Sequence, residues 1–191
     1  MHKKIEMEYK FLVDKKIFYF FLERFSNEYQ VMESYTQINY YYDTNGNLLN
    51  KQNITMRIRQ QDNKLKWQLK KHQDLHGAIC QSDECEGHLS SLPSKISIKG
   101  INTELYLKGN LVTERTILFF GNSGKLCFDI NMYLGIVDYE IEIEFDHCDQ
   151  QRADIIANTI GLNTNLIFSK NTRFFKCLED YKREEKLFSI Y

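Results

Sequence analysis

Charged residues stand at alternate positions in five stretches of this chain, an arrangement that could hold both metal ions and phosphates. Glu6, Glu8 and Lys10 interleave with Ile5, Met7 and Tyr9, Arg57 and Arg59 with Met56 and Ile58, and Lys64, Lys66 and Lys70 with Leu65, Trp67 and Leu69. Asp129 and Asn131 interleave with Phe128, Ile130 and Met132, and Glu140, Glu142 and Glu144 with Tyr139, Ile141, Ile143 and Phe145. Period two is the signature of a β-strand and puts each charged set on one face. Carboxylates two residues apart lie about 6.5–7 Å from each other along such a face. They are hard oxygen donors of the kind Mg²⁺ and Mn²⁺ prefer. Arginine adds a planar fork for phosphate oxygens, and lysine a compact charge.

The elements that must position these residues follow from local pattern. A first strand is predicted over His2–Val13 and a helix over Lys15–Glu28, with Asp14 as its cap and Ile17, Phe20, Phe21 and Phe25 at helical spacing. Val31–Asp43 reads as a long strand, Thr44–Asn50 as a loop, and Ile54–Gln60 with Lys64–Lys71 as a hairpin. Ala78–Glu86 is a further strand, and Gly87–Asn110, which holds the sole proline, Pro93, reads as helix or irregular. Leu111–Phe120 and Lys125–Met132 flank a turn at Gly121–Gly124, and Val137–Phe145 follows. Helices over Asp149–Ile160 and Asn171–Lys186 complete the chain. Strands in hairpins with few helices favour an antiparallel α+β fold. An open sheet would show its charged face to water. A closed barrel would turn it into a wet tunnel, with the apolar face packed outward against helices. Period alone leaves both open.

Composition narrows the function. The chain has 191 residues, 42% hydrophobic and 14% aromatic, so one domain with a sizeable core is expected over 1–191. Its 25 basic and 26 acidic residues leave a net charge of −1, so no long-range field steers it to nucleic acid or an anionic membrane. No apolar run approaches the ~18–20 residues of a membrane span, and no signal peptide is expected. Five cysteines without CxxC spacing read as free thiols in a reducing cytoplasm rather than a thiolate zinc site. The five histidines are scattered and read as surface residues. The aromatic runs Tyr40–Tyr42 and Phe18–Phe21 read as core, and no phosphate-cradling Gly-x-x-x-x-Gly-Lys loop is present.

The motifs taken in order resemble those of the CYTH superfamily, the triphosphate tunnel metalloenzymes. Glu6-Met7-Glu8-Tyr9-Lys10 is similar to the family's amino-terminal Glu-x-Glu-x-Lys strand, Tyr41-Tyr42-Asp43-Thr44 to its Tyr-x-Asp-Thr strand end, and Arg57-Ile58-Arg59 to its paired arginines. Lys70, Glu84-Cys85-Glu86, Arg115, Asp129, the run Asp138–Glu144, and Lys170 with Arg173 continue the series. Where many members carry an arginine two residues before the middle acidic pair this chain has Ser82, and Lys66 is the alternative source of that contact.

The resemblance implies an eight-stranded antiparallel barrel with flanking helices, whose interior takes triphosphate compounds with Mg²⁺ or Mn²⁺. On this reading Glu6, Glu8, Asp129, Glu140 and Glu142 are the metal ligands, and Glu6, Glu8, Lys10, Glu140 and Glu142 the catalytic set. Lys10, Arg57, Arg59, Lys66, Lys70, Arg115, Lys170 and Arg173 are the phosphate set. The expected activity is metal-dependent hydrolysis of inorganic triphosphate or a small organic triphosphate. The alternatives are a class IV-type adenylate cyclase making cyclic AMP from ATP, and a non-catalytic polyphosphate or nucleotide-binding module. The expected partner is a small-molecule triphosphate, with a second copy of the chain as a further candidate.

Overall fold

The computed structural model describes residues 3–73, 79–98, 103–161 and 168–188, with the side chains of residues 3–6, 73 and 184–188 outside the description. The elements run β1 (Lys3–Val13), α1 (Lys15–Glu28), β2 (Val31–Asp43), α2 (Leu48–Lys51), β3 (Ile54–Gln61), β4 (Lys64–Gln73) and β5 (Cys80–Leu89). They continue with β6 (Lys95–Ile96), β7 (Leu105–Phe120), β8 (Gly124–Tyr133), β9 (Ile136–Phe145), α3 (Gln150–Ile160) and α4 (Lys170–Phe188). The strands pair in the order β2-β3-β4-β5-β1-β9-β8-β7, and β2 pairs with β7 to close an eight-stranded antiparallel barrel with β6 appended to β7. Closure leaves these eight strands without a free edge, which resolves the open alternative in favour of the tunnel.

The outward faces of β1, β7, β8 and β9 carry Tyr9, Phe11, Leu118, Leu126, Phe128, Ile141 and Ile143. These pack with Phe18, Phe21 and Phe25 of α1 and Ala153, Ile156 and Ala157 of α3. Asp14 caps α1 by accepting from the Ile17 amide at 2.9 Å. Met7 lies partly buried against this cluster. Trp67 also faces outward but meets no long helix: it joins Tyr42, Met56, Ile58, Leu105, Ile96 and Ile98. Its indole covers Gly87, where a Cβ would fall 2.6 Å from Nε1. The expected outward packing of Ile5 lies outside the described side chains.

Two expectations from local pattern are corrected. Thr44–Asn50 is not only loop: Leu48–Lys51 forms the short helix α2, organised by the buried Asp43. Its Oδ1 accepts from the Thr44 and Leu49 amides at 2.7 and 2.9 Å, and its Oδ2 from Asn50 at 2.9 Å. Gly87–Asn110 is strand over about half of its described part, since β5 runs to Leu89, β6 spans Lys95–Ile96 and β7 begins at Leu105, while residues 90–94 around Pro93 are irregular as expected. Lys108, Gly109 and Asn110 interrupt the alternation there, and pairing with β2 supplies the order that local propensity lacks.

One end of the barrel is closed by α4. Tyr41, Leu111 and Tyr133, at inward strand positions, pack with Phe174, Phe175 and Leu178 of that helix. Gly109 makes the approach possible: its φ is +149°, and a Cβ there would lie 2.8 Å from Cζ of Phe174.

Candidate functional site

The inward faces enclose a cavity of about 380 Å³. Strand phase decides what lines it. On β3 the inward positions are Thr55, Arg57 and Arg59; on β4 they are Lys66, Gln68, Lys70 and His72; on β5, Glu84 and Glu86. Across the tunnel stand Glu8 and Lys10 of β1, Glu142 and Glu144 of β9, Arg115 of β7 and Lys125 of β8, with Lys170 entering from α4. The tunnel therefore brings together Glu8, Lys10, Arg57, Arg59, Lys66, Lys70, Arg115, Glu142 and Lys170 of the expected set. The side chain of Glu6 lies outside the description; its backbone pairs with Ser82 of β5. Asp129, Glu140 and Arg173 sit behind the cavity wall: both carboxylates are fully buried, and Arg173 is bonded to Glu140 at 2.6 Å and to Asp138 at 3.0 Å.

One wall is a dense lattice of opposite charges. Lys170 Nζ lies 2.8 Å from Asp129, 2.9 Å from Glu140 and 2.8 Å from Glu142. Arg115 grips Asp129 with two hydrogen bonds, at 2.7 and 2.6 Å, and also donates to Glu142 and to Glu144. Lys10 is 2.8 Å from Glu8 and 3.6 Å from Glu142, and Lys70 is 3.5 Å from Glu8. Burial opposes ionisation of Glu142, but Lys170, Lys10 and Arg115 outweigh it and hold the carboxyl well below the usual range. Burial likewise works against the Lys10 ammonium, and Glu8, Glu142 and Glu140 reverse the balance to raise its pKa well above the ordinary value.

On the opposite wall Lys66 pairs with Glu86 at 3.0 Å, but the two arginines of β3 lack this compensation. Arg57 donates from Nε to Gln68 at 2.9 Å and Arg59 to Asn39 at 3.1 Å, both neutral amides. Neither arginine makes an ion pair among the described residues. Burial first, then the neighbouring Arg57 and Arg115, lower the Arg59 pKa to about 10. A guanidinium held among like charges in a wet cavity is a site for an anion.

The cavity's carboxylates have the oxygen chemistry that a hard divalent cation takes, without a converged geometry among the described residues. Glu8, Glu84, Glu142 and Glu144 line the cavity as oxygen donors, and Oε1 of Glu84 and Oε1 of Glu140 are buried with no hydrogen-bond partner among the described residues. Among the described residues no three His, Cys, Asp or Glu side chains converge in a cation-holding arrangement. Asp129, Glu140 and Glu142 converge on the Lys170 ammonium instead.

Residue types alone passed over several lining groups. Thr55 is in phase with Arg57 and Arg59, and Gln68 and His72 are in phase with Lys66 and Lys70, so strand period held the signal. His72 corrects the reading of the histidines as surface residues, whereas His88 and His147 are exposed and His2 and His76 lie outside the described residues. Tyr41 belongs to the buried cluster, as expected, yet also lines the tunnel, and its hydroxyl has no partner among the described residues. Of the Phe18–Phe21 run, Phe18 and Phe21 are buried while Tyr19 and Phe20 are exposed.

Comparison with known proteins gives a consistent family. A family model described as the CYTH domain matches residues 4–174. The structure resembles that of an adenylate cyclase candidate from Bacillus halodurans, with a TM-score of 0.69 and 27% identity over 92% of this chain and 100% of that one. It also resembles an adenylyl cyclase candidate from Hippeastrum in which triphosphatase activity is dominant, with a TM-score of 0.72 and 19% identity over 90% of this chain and 95% of that one. The capping-enzyme triphosphatase of Mimivirus shares the fold at a TM-score of 0.54 and 12% identity, over 82% and 88% of the two chains. No curated protein matches the sequence. The family match spans both carboxylate strands, the paired arginines and the start of α4, and the chain belongs to the CYTH domain family.

Proposed function

We propose that the protein hydrolyses triphosphate compounds, inorganic triphosphate first among them, with the aid of Mg²⁺ or Mn²⁺. The observation that carries this reading is the asymmetry of the tunnel. Arg57 and Arg59 form a positive pair with no acidic partner among the described residues, opposite Glu8, Glu142 and Glu144. A pure anion-binding module has no need of those carboxylates. An adenylate cyclase needs an adenine pocket, yet among the described lining residues Ile117 is the one aliphatic side chain, with Tyr35 and Tyr41 the aromatics beside His72.

Arg57, Arg59, Lys66 and Lys70 would bind and orient an extended polyanion along the β3–β4 wall. Glu8, Glu84, Glu142 and Glu144 would hold the divalent cation, which supplies charge neutralisation at the phosphate chain. Glu8, 2.8 Å from Lys10 and 3.5 Å from Lys70, would orient a water towards the terminal phosphorus. Arg115 and Lys170 would counter the charge that develops on the transferred group. Asp129, Glu140 and Arg173 would act from behind the wall by fixing Arg115 and Lys170. Five free cysteines suit a reducing compartment, the cytoplasm. No helix of the described residues is long and apolar enough to cross a membrane.

The test is phosphate release from inorganic triphosphate, pyrophosphate, ATP and a phosphate monoester, each with Mg²⁺, with Mn²⁺ and with chelator. Metal-dependent release, fastest from inorganic triphosphate, is expected. Cyclic AMP as the main product from ATP would replace this reading with the cyclase, and equal efficiency on the monoester would defeat both.

A further inference from the structure

The two ends of the tunnel differ. At one end the lining side chains Lys66, Glu86 and Lys125 are 37, 39 and 38% exposed, an open mouth. At the other, under α4, Thr55 and Lys170 are 4 and 8% exposed. His72 belongs to the closed end. It lies six residues along β4 from Lys66, about 20 Å at strand rise. Its Nε2 is 3.2 Å from the buried hydroxyl of Thr55, and both residues line the cavity. Directly across the β4–β5 ladder from His72 stands Ser82, 1% exposed, whose Oγ has no hydrogen-bond partner among the described residues. Buried hydroxyls are normally satisfied, so the Ser82 hydroxyl beside His72 is hydrogen-bonding capacity that the described residues do not use. Lys70, two residues along, adds a positive charge, and Ser169 and Asn171 of the α4 start line the same cavity. Hydroxyl, imidazole and ammonium donors around one space suit the oxygens of a phosphoryl group.

We propose that His72 and Thr55 form a hydrogen-bonding subsite at the closed end of the tunnel that takes the terminal phosphoryl group of the substrate. This makes His72 a specificity-determining residue, and it rests on the triphosphate reading given above. It also sets a direction: the free terminal phosphate points towards α4, and any organic substituent projects from the Lys66–Lys125 mouth.

The experiment compares wild type, His72→Ala, His72→Gln and Thr55→Val, with His88→Gln as an exposed control on the neighbouring strand. KM and kcat for inorganic triphosphate, and calorimetric affinity for tripolyphosphate, are measured alongside the melting temperature. Losing a hydrogen bond to a charged oxygen should raise KM about tenfold in His72→Ala. The melting temperature should stay unchanged and kcat should fall less than KM rises. His72→Gln, which keeps an N–H donor, should recover part of the affinity, which a purely structural role would not produce. Should His72→Ala fail to fold, His72→Gln and Thr55→Val carry the same comparison. Wild-type KM and affinity in folded His72 and Thr55 variants overturn the subsite while leaving the hydrolase reading intact. A wild type that binds tripolyphosphate without hydrolysing it, with binding weakened in His72→Ala, supports the subsite and overturns the hydrolase reading instead.

Discussion

Arg115 and Asp129 stand directly opposite each other on β7 and β8 and join through two hydrogen bonds, Nε to Oδ1 at 2.7 Å and Nη2 to Oδ2 at 2.6 Å. Asp129 is fully buried, so the pair is the anchor from which Arg115 reaches Glu142 and Glu144. The charged interior is thus a connected structure and not a set of independent surface groups.

Asp129→Asn should destabilise the fold. It leaves the buried Arg115 and Lys170 short of one counter-charge, and breaking a buried pair by removing one partner costs about 3–5 kcal/mol. Urea unfolding at neutral pH measures it. A midpoint equal to wild type would show that neighbouring carboxylates absorb the loss.

Stability should fall in acid. Burial raises the Asp129 pKa, but Arg115 and Lys170 bring the net value below normal, and Glu142 is depressed in the same way. Depressed carboxylates contribute stability above their unfolded pKa, about 3.9–4.3, and lose it as pH falls through the folded values. Lys10 and Lys170, whose folded values are raised, keep their contribution below the unfolded value of about 10.4 and lose it only at higher pH. Unfolding midpoints should therefore be flat from pH 5 to 9 and drop below about pH 4. A midpoint that peaks sharply near pH 7 would contradict this.

Arg59→Gln should separate stability from function. The wild-type guanidinium is half-buried near Arg57 and Arg115 with no ion-pair partner among the described residues, so its removal should stabilise the ligand-free protein, by an amount on the order of 1–3 kcal/mol. The same change should weaken triphosphate affinity, and added triphosphate should protect the variant against heat less than it protects wild type. Thermal melts with and without ligand decide; unchanged protection would remove Arg59 from the binding wall.

Glu8→Gln should lower metal-dependent turnover by about 100-fold or more while the barrel stays folded, since it removes one anionic oxygen with little change of shape. Rates measured across Mg²⁺ and Mn²⁺ titrations test it, and wild-type turnover at saturating metal would make the carboxylate structural.

Gly109→Ala should disturb the site from a distance. The added Cβ meets Phe174 at 2.8 Å in a backbone conformation that alanine resists, so α4 must shift and carry Lys170 with it. A stability loss of about 1–3 kcal/mol with reduced turnover is expected. Normal activity would mean that Phe174 yields without moving the helix.

The strands that carry the site were legible from residue order because a half-buried strand imposes period two on its own sequence. Glu8 and Lys10, Arg57 and Arg59, and Glu142 and Glu144 could be placed on common faces that way. The Asp14 cap and α1 followed from equally local chemistry. What period could not decide was whether the sheet closes. That depends on β2 pairing with β7, residues some 80 positions apart such as Tyr35 and Arg115. Nor could it show which carboxylates face the cavity and which lie behind it. Asp129 and Glu142 look alike in sequence, yet the stagger of the barrel buries Asp129 under Arg115 and leaves Glu142 at the wall. His72 looked like a surface residue until the tertiary structure set it beside Thr55 and opposite Ser82. Local pattern determines which face a side chain takes. Only the long-range pairing of strands and the docking of α4 determine what that face looks at, because those contacts are made between residues far apart in the chain.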